Sequence, residues 1–352
     1  MFVSSFDIRY SDLFGRRVVP ELRQNIITGD WVVIAPERAK RPQDFVIPKG
    51  VKVVDKSKCP FCVDSSGYQQ NKEATRIKPI KINTKDIYVV ENRFPAFIEN
   101  ESKKSTRSFY PEEGFYRARP SVGDHEVVVV KDHENELPNF GKQLLNDLLE
   151  VIRDRYVWMK EHEDVVSIMP IYNHGPEAGA SINHPHAQIF ASGIVANTVG
   201  KEIEGADNYY GENGTCVFCD LIQHELKEKI RIVCQNDDFI AVAFYASRFP
   251  FETWVLPKKH ESQFEGTGKT SMTNFAGILA ETFRMLDKTL DNPPLNFYIH
   301  TLPTIYEDSA SYHWHLEILP RLANFGGFEL GSEVVINVMS PEEAAEFLRA
   351  KK

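Results

Sequence analysis

The 352-residue sequence contains no window approaching 18 consecutive uncharged apolar residues, so no membrane-spanning helix is expected. It has no excess of positive charge. Lys and Arg number 41 against 50 Asp and Glu, a formal net charge of −9, which argues against a nucleic-acid coat while leaving room for a locally basic nucleotide pocket. Asp7 and Arg9 fall within the first ten residues with no long apolar run around them, so a secretory signal is not expected. Cysteine is scarce and odd in number, five in all, which is not a disulfide framework and fits a reducing, cytoplasmic setting. With 42% hydrophobic and 26% charged residues the chain is neither disordered, collagen-like nor a coiled coil, and its length suits two ordinary domains or one large fused one.

The strongest signal is internal repetition. Cys59-Pro60-Phe61-Cys62 matches Cys216-Val217-Phe218-Cys219, and Arg93-Phe94-Pro95 matches Arg248-Phe249-Pro250. Val127–His133 matches Thr253–His260 in type, and His184-Pro185-His186-Ala187-Gln188 matches His313-Trp314-His315-Leu316-Glu317. The intervals agree: 31 and 29 positions from second cysteine to arginine (62 to 93, 219 to 248), then 51 and 53 from lone histidine to His-x-His (133 to 184, 260 to 313). Only the middle interval differs, 40 against 12, and the polar stretch Glu99–Gly123 reads as a loop insertion in the first copy. Four matches in one order point to a duplication dividing the chain at 1–195 and 196–352.

Both copies carry the same coarse pattern. Apolar runs at Ile87–Val90 and Phe239–Phe244 read as strands, and helical spacing runs over Lys142–Lys160 and Met272–Leu290. Two closing strands follow each helix, Val165–Tyr172 with His186–Ala191 and Asn296–His300 with His313–Leu319. Asn292-Pro293-Pro294 stops the second helix. The expected fold is α+β: two tandem repeats, each an antiparallel sheet with one main helix, packed as one assembly. The link from Ser192 to Thr215, with Gly200, Gly205, Gly211 and Gly214, reads as flexible or as reaching across a neighbour. The N-terminal aromatics Phe2, Phe6, Tyr10 and Phe14 read as a docking segment for the core or a partner subunit.

A lone C-x-x-C is often a redox pair. A repeated one, with histidines at matching offsets, is a zinc-binding set, because thiolates and imidazoles suit Zn²⁺ and four of them close a tetrahedron. The expected ligands are Cys59, Cys62, His133 and His184 in the first copy and Cys216, Cys219, His260 and His313 in the second. Both sites would be structural. His125 is set aside, since its counterpart near Phe251 and Glu252 is not a ligand type shared by the copies. Cys234 reads as an inert buried residue.

That leaves His186 without a metal role. Small residues precede it in Gly175-Pro176-Glu177-Ala178-Gly179-Ala180-Ser181, where backbone can approach a phosphate closely. Asn173, Ser181 and Gln188 carry donors for phosphate oxygens, and a neutral imidazole near pH 7 is a competent nucleophile toward phosphorus. His315 lacks the glycine-rich approach, and Glu317 replaces the trailing glutamine, so the second copy reads as structural, with His315 buried or near the substrate.

At these residues the chain resembles the galactose-1-phosphate uridylyltransferase family, within the histidine-triad superfamily. The likeness runs from Leu22-Arg23 and Gly29-Asp30-Trp31 through Arg38-Ala39-Lys40-Arg41-Pro42, Glu91-Asn92, Asn173-x-Gly175 and His184-Pro185-His186-Ala187-Gln188 to Gly326-Gly327-Phe328-Glu329. The resemblance implies a double displacement. His186 attacks the α-phosphorus of a nucleotide sugar, sugar 1-phosphate leaves, and a second sugar 1-phosphate takes the nucleotidyl group. It implies that Gln188 hydrogen-bonds the transferred group, that Asn173, Gly179 and Ser181 lie against the phosphates, that Arg41 and Asn92 line the nucleotide pocket, that Arg38 faces the phosphates, and that Phe328 and Glu329 contact the hexose. It implies UMP transfer from UDP-glucose to galactose 1-phosphate, with a possible homodimer as the assembly. The second cysteine pair resembles plant-type ADP-glucose phosphorylases, whereas the best-known bacterial uridylyltransferases build a second metal site from a carboxylate and histidines. Pro185 between the histidines is the uridylyltransferase spelling. Transfer to phosphate from an ADP-sugar, and a non-catalytic zinc-stabilised nucleotide-binding scaffold, are the alternatives.

Overall fold

A computed structural model describes residues 19–36, 55–71, 77–99, 115–116 and 118–352. Arg38, Arg41, the N-terminal aromatics and most of the insertion lie outside the described residues.

The first copy contributes β1 (Glu21–Gln24), β2 (Trp31–Ile34), α1 (Ser66–Asn71), β3 (Ile77–Lys78), β4 (Ile87–Glu91), β5 (Gly123–Val130), α2 (Lys142–Lys160), β6 (Ser167–His174) and β7 (His186–Ser192). The second contributes α3 (Asn197–Asn213), α4 (Val217–Glu228), β8 (Ile232–Gln235), β9 (Phe239–Ala243), β10 (Thr253–Pro257), α5 (Lys269–Leu290), β11 (Leu295–His300), β12 (His315–Pro320), α6 (Gly327–Ser332), β13 (Val335–Asn337) and α7 (Pro341–Arg349).

Ten strands form one sheet in the order β3-β4-β5-β7-β6-β11-β12-β10-β9-β8, all paired antiparallel. The order of the first five, read outward from β6, is the order of the last five read outward from β11. The copies therefore meet along the β6–β11 ladder, and one hydrogen-bonded sheet crosses the boundary between them. A small second sheet, β1-β2-β13, joins the two ends of the chain, with β13 parallel to β2.

One sheet face is covered by α2 and α5, which pack on each other. Leu145, Leu148, Ile152, Tyr156 and Met159 meet Phe275, Leu279, Phe283 and Leu286 over Val128, Ala187, Ile189, Leu316 and Ile318. Strand periodicity sends the alternate residues to the opposite face. There His125, Val127 and Val129 of β5 lie opposite Phe190, Gln188 and His186 of β7. In the second copy Trp254 lies opposite Glu317, the position equivalent to Val127 opposite Gln188. Each strand starts at the second histidine of its pair, so His184 and His313 lie just before β7 and β12 and turn toward the cysteines.

The link after Ser192 is not flexible. It forms α3, a 17-residue helix that buries Val199, Glu202 and Ala206 on one face. One of its glycines serves contact: a Cβ at Gly205 would lie 1.7 Å from the Ile27 carbonyl oxygen, so glycine lets the β1–β2 turn rest directly on the helix. Turn-like composition gave way here to close packing.

Candidate active site and metal centres

The Cys59-x-x-Cys62 turn is held by Asp55, whose carboxylate caps the preceding 3₁₀ turn through the Ser57 N–H. Opposite it, His184 sits 3.5 Å from both sulfurs through Nδ1, and His133 Nδ1 lies 3.2 Å from Cys62 Sγ and 3.0 Å from His184 Nδ1. A tetrahedral zinc with bonds of about 2.0 Å to nitrogen and 2.3 Å to sulfur has edges of about 3.3–3.8 Å, close to these separations. His184 Nε2–H donates to the Val130 carbonyl at 2.6 Å, which fixes the tautomer that leaves Nδ1 free to ligate. Burial pushes His184 down to about 4, so the ring is neutral, and burial beside Cys59 pushes the Cys62 thiol up to about 11. A cation among these donors would reverse the cost of ionising the thiols.

The second set repeats this construction. Cys219 Sγ is 3.4 Å from His260 Nδ1 and 3.7 Å from His313 Nδ1, while His313 Nε2–H donates to Pro257 O and His260 Nε2–H to Ser309 O. All eight expected ligands fall into two groups whose ligand atoms lie within 4.8 Å of one another, and the donor chemistry of both fits a metal ion. A third group of four, Glu202, His300, His315 and Glu317, was not foreseen as a cluster. It carries its own countercharge, because Arg248 pairs with Glu317 and Glu252.

His186 opens β7. Its Nδ1–H donates to the His184 carbonyl at 2.7 Å, so Nε2 holds the lone pair. Nε2 makes no hydrogen bond among the described residues. Burial lowers the His186 pKa, opposed by that backbone hydrogen bond, and the neutral ring is favoured. The Phe61 ring, from within the C-x-x-C turn, lies 5.7 Å from the His184 ring and 5.2 Å from the His186 ring. Phe61 thus ties the Cys59–Cys62 turn to the His186 ring. Both cysteine motifs spell Cys-x-Phe-Cys, a signal present in the sequence but not used.

Gln188 lies two residues along the same face as His186. Its Oε1 is 2.9 Å from His125 Nε2 and 3.5 Å from Asn92 Nδ2. Asn173 is the penultimate residue of β6, and its Oδ1 accepts from Asn296 Nδ2 at 2.7 Å, which turns the Asn173 amide nitrogen away as a donor. Asn296 also donates to Ala178 O, bracing the turn that ends at Gly179, which adopts a left-handed conformation with φ +85°. Ser181 is exposed in the following loop. The fold therefore gathers His186, Gln188 and Asn92 directly, and presents Asn173, Gly179 and Ser181 from the neighbouring strand and loop. Phe328 and Glu329 lie elsewhere, on α6 against β13. Glu329 accepts from its own helix's Gly326 N–H, and neither residue bonds to the β7 cluster. Asn296 was missed because it sits in a strand without a motif, and His125 because the repeat logic removed it.

Residues 12–196 match the model of the galactose-1-phosphate uridyl transferase N-terminal domain, and residues 202–351 that of its C-terminal domain. The chain is 34% identical to an ADP-glucose phosphorylase of Arabidopsis thaliana, covering 94% of this chain and 92% of that protein. It is 30% identical to a galactose-1-phosphate uridylyltransferase of Thermotoga maritima, covering 94% and 98%. A crystal structure of the Arabidopsis ADP-glucose phosphorylase with bound ADP-glucose superposes with a TM-score of 0.78 at 31% identity, covering 94% of this chain and 98% of that one.

Proposed function

The chain belongs to the galactose-1-phosphate uridylyltransferase family, and from that premise we propose that it moves a nucleotidyl group from a nucleotide sugar to a phosphate-bearing acceptor through His186. The observation that carries this reading is the free Nε2 of a neutral, backbone-tethered imidazole on a strand face shared with Gln188. The Nε2 lone pair forms the bond to the α-phosphorus as the bond to the departing sugar 1-phosphate breaks. An oxygen of the acceptor phosphate then forms its bond to the same phosphorus and releases neutral His186. The Nδ1–H bond to the His184 carbonyl steadies the positive charge that the ring carries between the two steps. Gln188, Asn173 and Ser181 are the proposed donors to phosphoryl oxygens, with Gly179 allowing backbone approach, and the family resemblance gives Arg41 and Asn92 to the nucleotide, Arg38 to the phosphates, and Phe328 and Glu329 to the hexose. The two Cys₂His₂ sets are read as zinc sites that hold strand and turn together when loaded.

The donor is read as UDP-glucose and the acceptor as galactose 1-phosphate, on the His184-Pro185-His186 spelling. A second reading, ADP-glucose with phosphate as acceptor, draws on the 34% identity to an ADP-glucose phosphorylase. Incubating the chain with UDP-glucose and ADP-glucose separately and weighing the intact protein tests both. The gain in mass names the base, and no gain with either sugar would remove the covalent mechanism.

A further inference from the structure

An amide such as Gln188 has an accepting end and a donating end, and only the donating end serves an anionic phosphoryl oxygen. The fold removes the choice. The Ala96 backbone N–H, which can only donate, points at His125 Nδ1 from 3.2 Å. Nδ1 therefore carries no proton, and the neutral ring carries it on Nε2, 2.9 Å from the Gln188 side-chain atom it faces. That atom must accept, so it is the oxygen.

Asn92 adds a second constraint. Its Oδ1 is taken by the Phe94 N–H at 2.9 Å, so its Nδ2 is the end that lies 3.1 Å from His125 Nε2 and 3.5 Å from Gln188 Oε1. Two donors flank one oxygen, and the Gln188 amide nitrogen is turned away from both. We propose that His125 is a positioning residue that orients the Gln188 amide so that its NH₂ meets the phosphoryl group transferred to His186. This rests on the reading of His186 as the nucleophile.

The surroundings hold the His125 ring as the role requires. It stacks on Phe190 at 3.9 Å with the planes 29° apart, and burial disfavours its cation. Of the two carboxylates adjacent in sequence, Asp124 accepts the His125 backbone N–H and Glu126 pairs with Arg155, so neither takes a ring proton. The second copy shows the paired change. Glu252 stands at the position of His125 and Glu317 at that of Gln188, and two carboxylates there need Arg248 between them.

The test combines His125→Phe, which keeps a ring on Phe190 but deletes both nitrogens, with His125→Gln, which restores a donor, each in the native and the Gln188→Ala backgrounds. The readout is the single-turnover rate of mass gain from UDP-glucose or ADP-glucose at saturating sugar. His125→Phe should slow it about 10- to 100-fold, with His125→Gln recovering most of the rate. In the Gln188→Ala background His125→Phe should add nothing. Equal losses in both backgrounds, with a normal wild type, would overturn the role of His125 alone. A wild type that gains no nucleotide would overturn the reading of His186 and this role with it. A third measurement needs no turnover. The ¹⁵N signals of the His125 ring, assigned by their loss in His125→Gln, should report a proton on Nε2 only, and a proton on Nδ1 near pH 7 would overturn the proposal.

Discussion

The two halves of the sheet carry one construction put to opposite ends. His186 and His315 each open a strand, each send Nδ1–H to the carbonyl two residues back, at 2.7 and 3.2 Å, and each lie beside the phenylalanine of a Cys-x-Phe-Cys turn. What surrounds them differs. Val127 in the first copy sets a small side chain opposite Gln188, whereas Trp254, opposite Glu317, stacks on the His315 ring at 4.5 Å and is itself stacked on Phe244. Beyond Gln188 stand the Asn92 amide and the His125 imidazole, whose cation burial disfavours. Beyond Glu317 stand Arg248, Tyr298, His300 and Glu202, all drawn into one ion-paired network. Burial and the Arg248 charge oppose charge on His300, yet Glu202 and Glu317 raise its pKa, while burial with no carboxylate beside it lowers that of His186. A duplicated frame thus separates into a half whose His186 has no carboxylate beside it and a half whose His300 and His315 are enclosed by ion pairs.

The sharpest way to break this contrast is to change the two histidines in turn. His186→Gly should lower turnover by at least about 10³-fold with fold and metal content kept. His315→Asn should cost about 1–3 kcal/mol of stability and leave turnover within about threefold. Steady-state rates, denaturant melts and metal analysis on both variants decide it, and equal loss of turnover would end the division of roles. Exchanging the residues two positions on comes next. Gln188→Glu turns a carboxylate toward a phosphoryl group and should slow nucleotidyl-enzyme formation about 100-fold. Glu317→Gln leaves Arg248 half-compensated in a buried site and should cost about 3 kcal/mol with the chemistry intact.

The metal turns give a smaller and more graded comparison. Cys62→Ser should lose one metal ion per chain, destabilise by about 3 kcal/mol and slow turnover about tenfold, because Phe61 no longer holds the His186 ring. Cys219→Ser should lose the other ion with a similar stability cost and turnover changed less than about threefold. Metal stoichiometry by elemental analysis beside kcat separates the two, and a Cys219→Ser enzyme as slow as Cys62→Ser would show that the second centre also supports the site.

Much of this frame is legible in the sequence because repetition constrains it. Equal spacings pair the cysteines with the correct histidines, and helical and alternating periodicities locate α2, α5 and the strands that carry His186 and His315, since burial on one face leaves a period. What the repeat cannot report is where the copies diverge. His125 meets a glutamine, Gln188, that the second copy lacks, so a search for matched positions discards it, and Glu252 hides the correspondence by changing chemistry with Glu317. The glycines of α3 look like a linker because composition records conformational freedom and not the Ile27 carbonyl that needs the space. Asn296 reaches Asn173 across the seam between the copies, a contact 123 positions apart that no local pattern announces.

The pH response tests the electrostatic side of the contrast. On the proposed mechanism His186 must be neutral to attack, so turnover should fall as pH drops through its pKa. Burial disfavours the imidazolium, and the hydrogen bond to the His184 carbonyl opposes this only in part, so that pKa lies below the ordinary 6.5. Protonation, and the loss of rate with it, is therefore displaced to more acid solution than for a free imidazole. The rate of mass gain should vary less than about twofold between pH 8 and 6.5 and decline below that. The shift comes from burial rather than from a charged neighbour, so the profile should be nearly independent of salt. Measuring single-turnover rates across this range at low and high ionic strength checks both parts. A midpoint above 6.5 that moves with salt would mean that His186 sits in a charged network like the one that encloses His315.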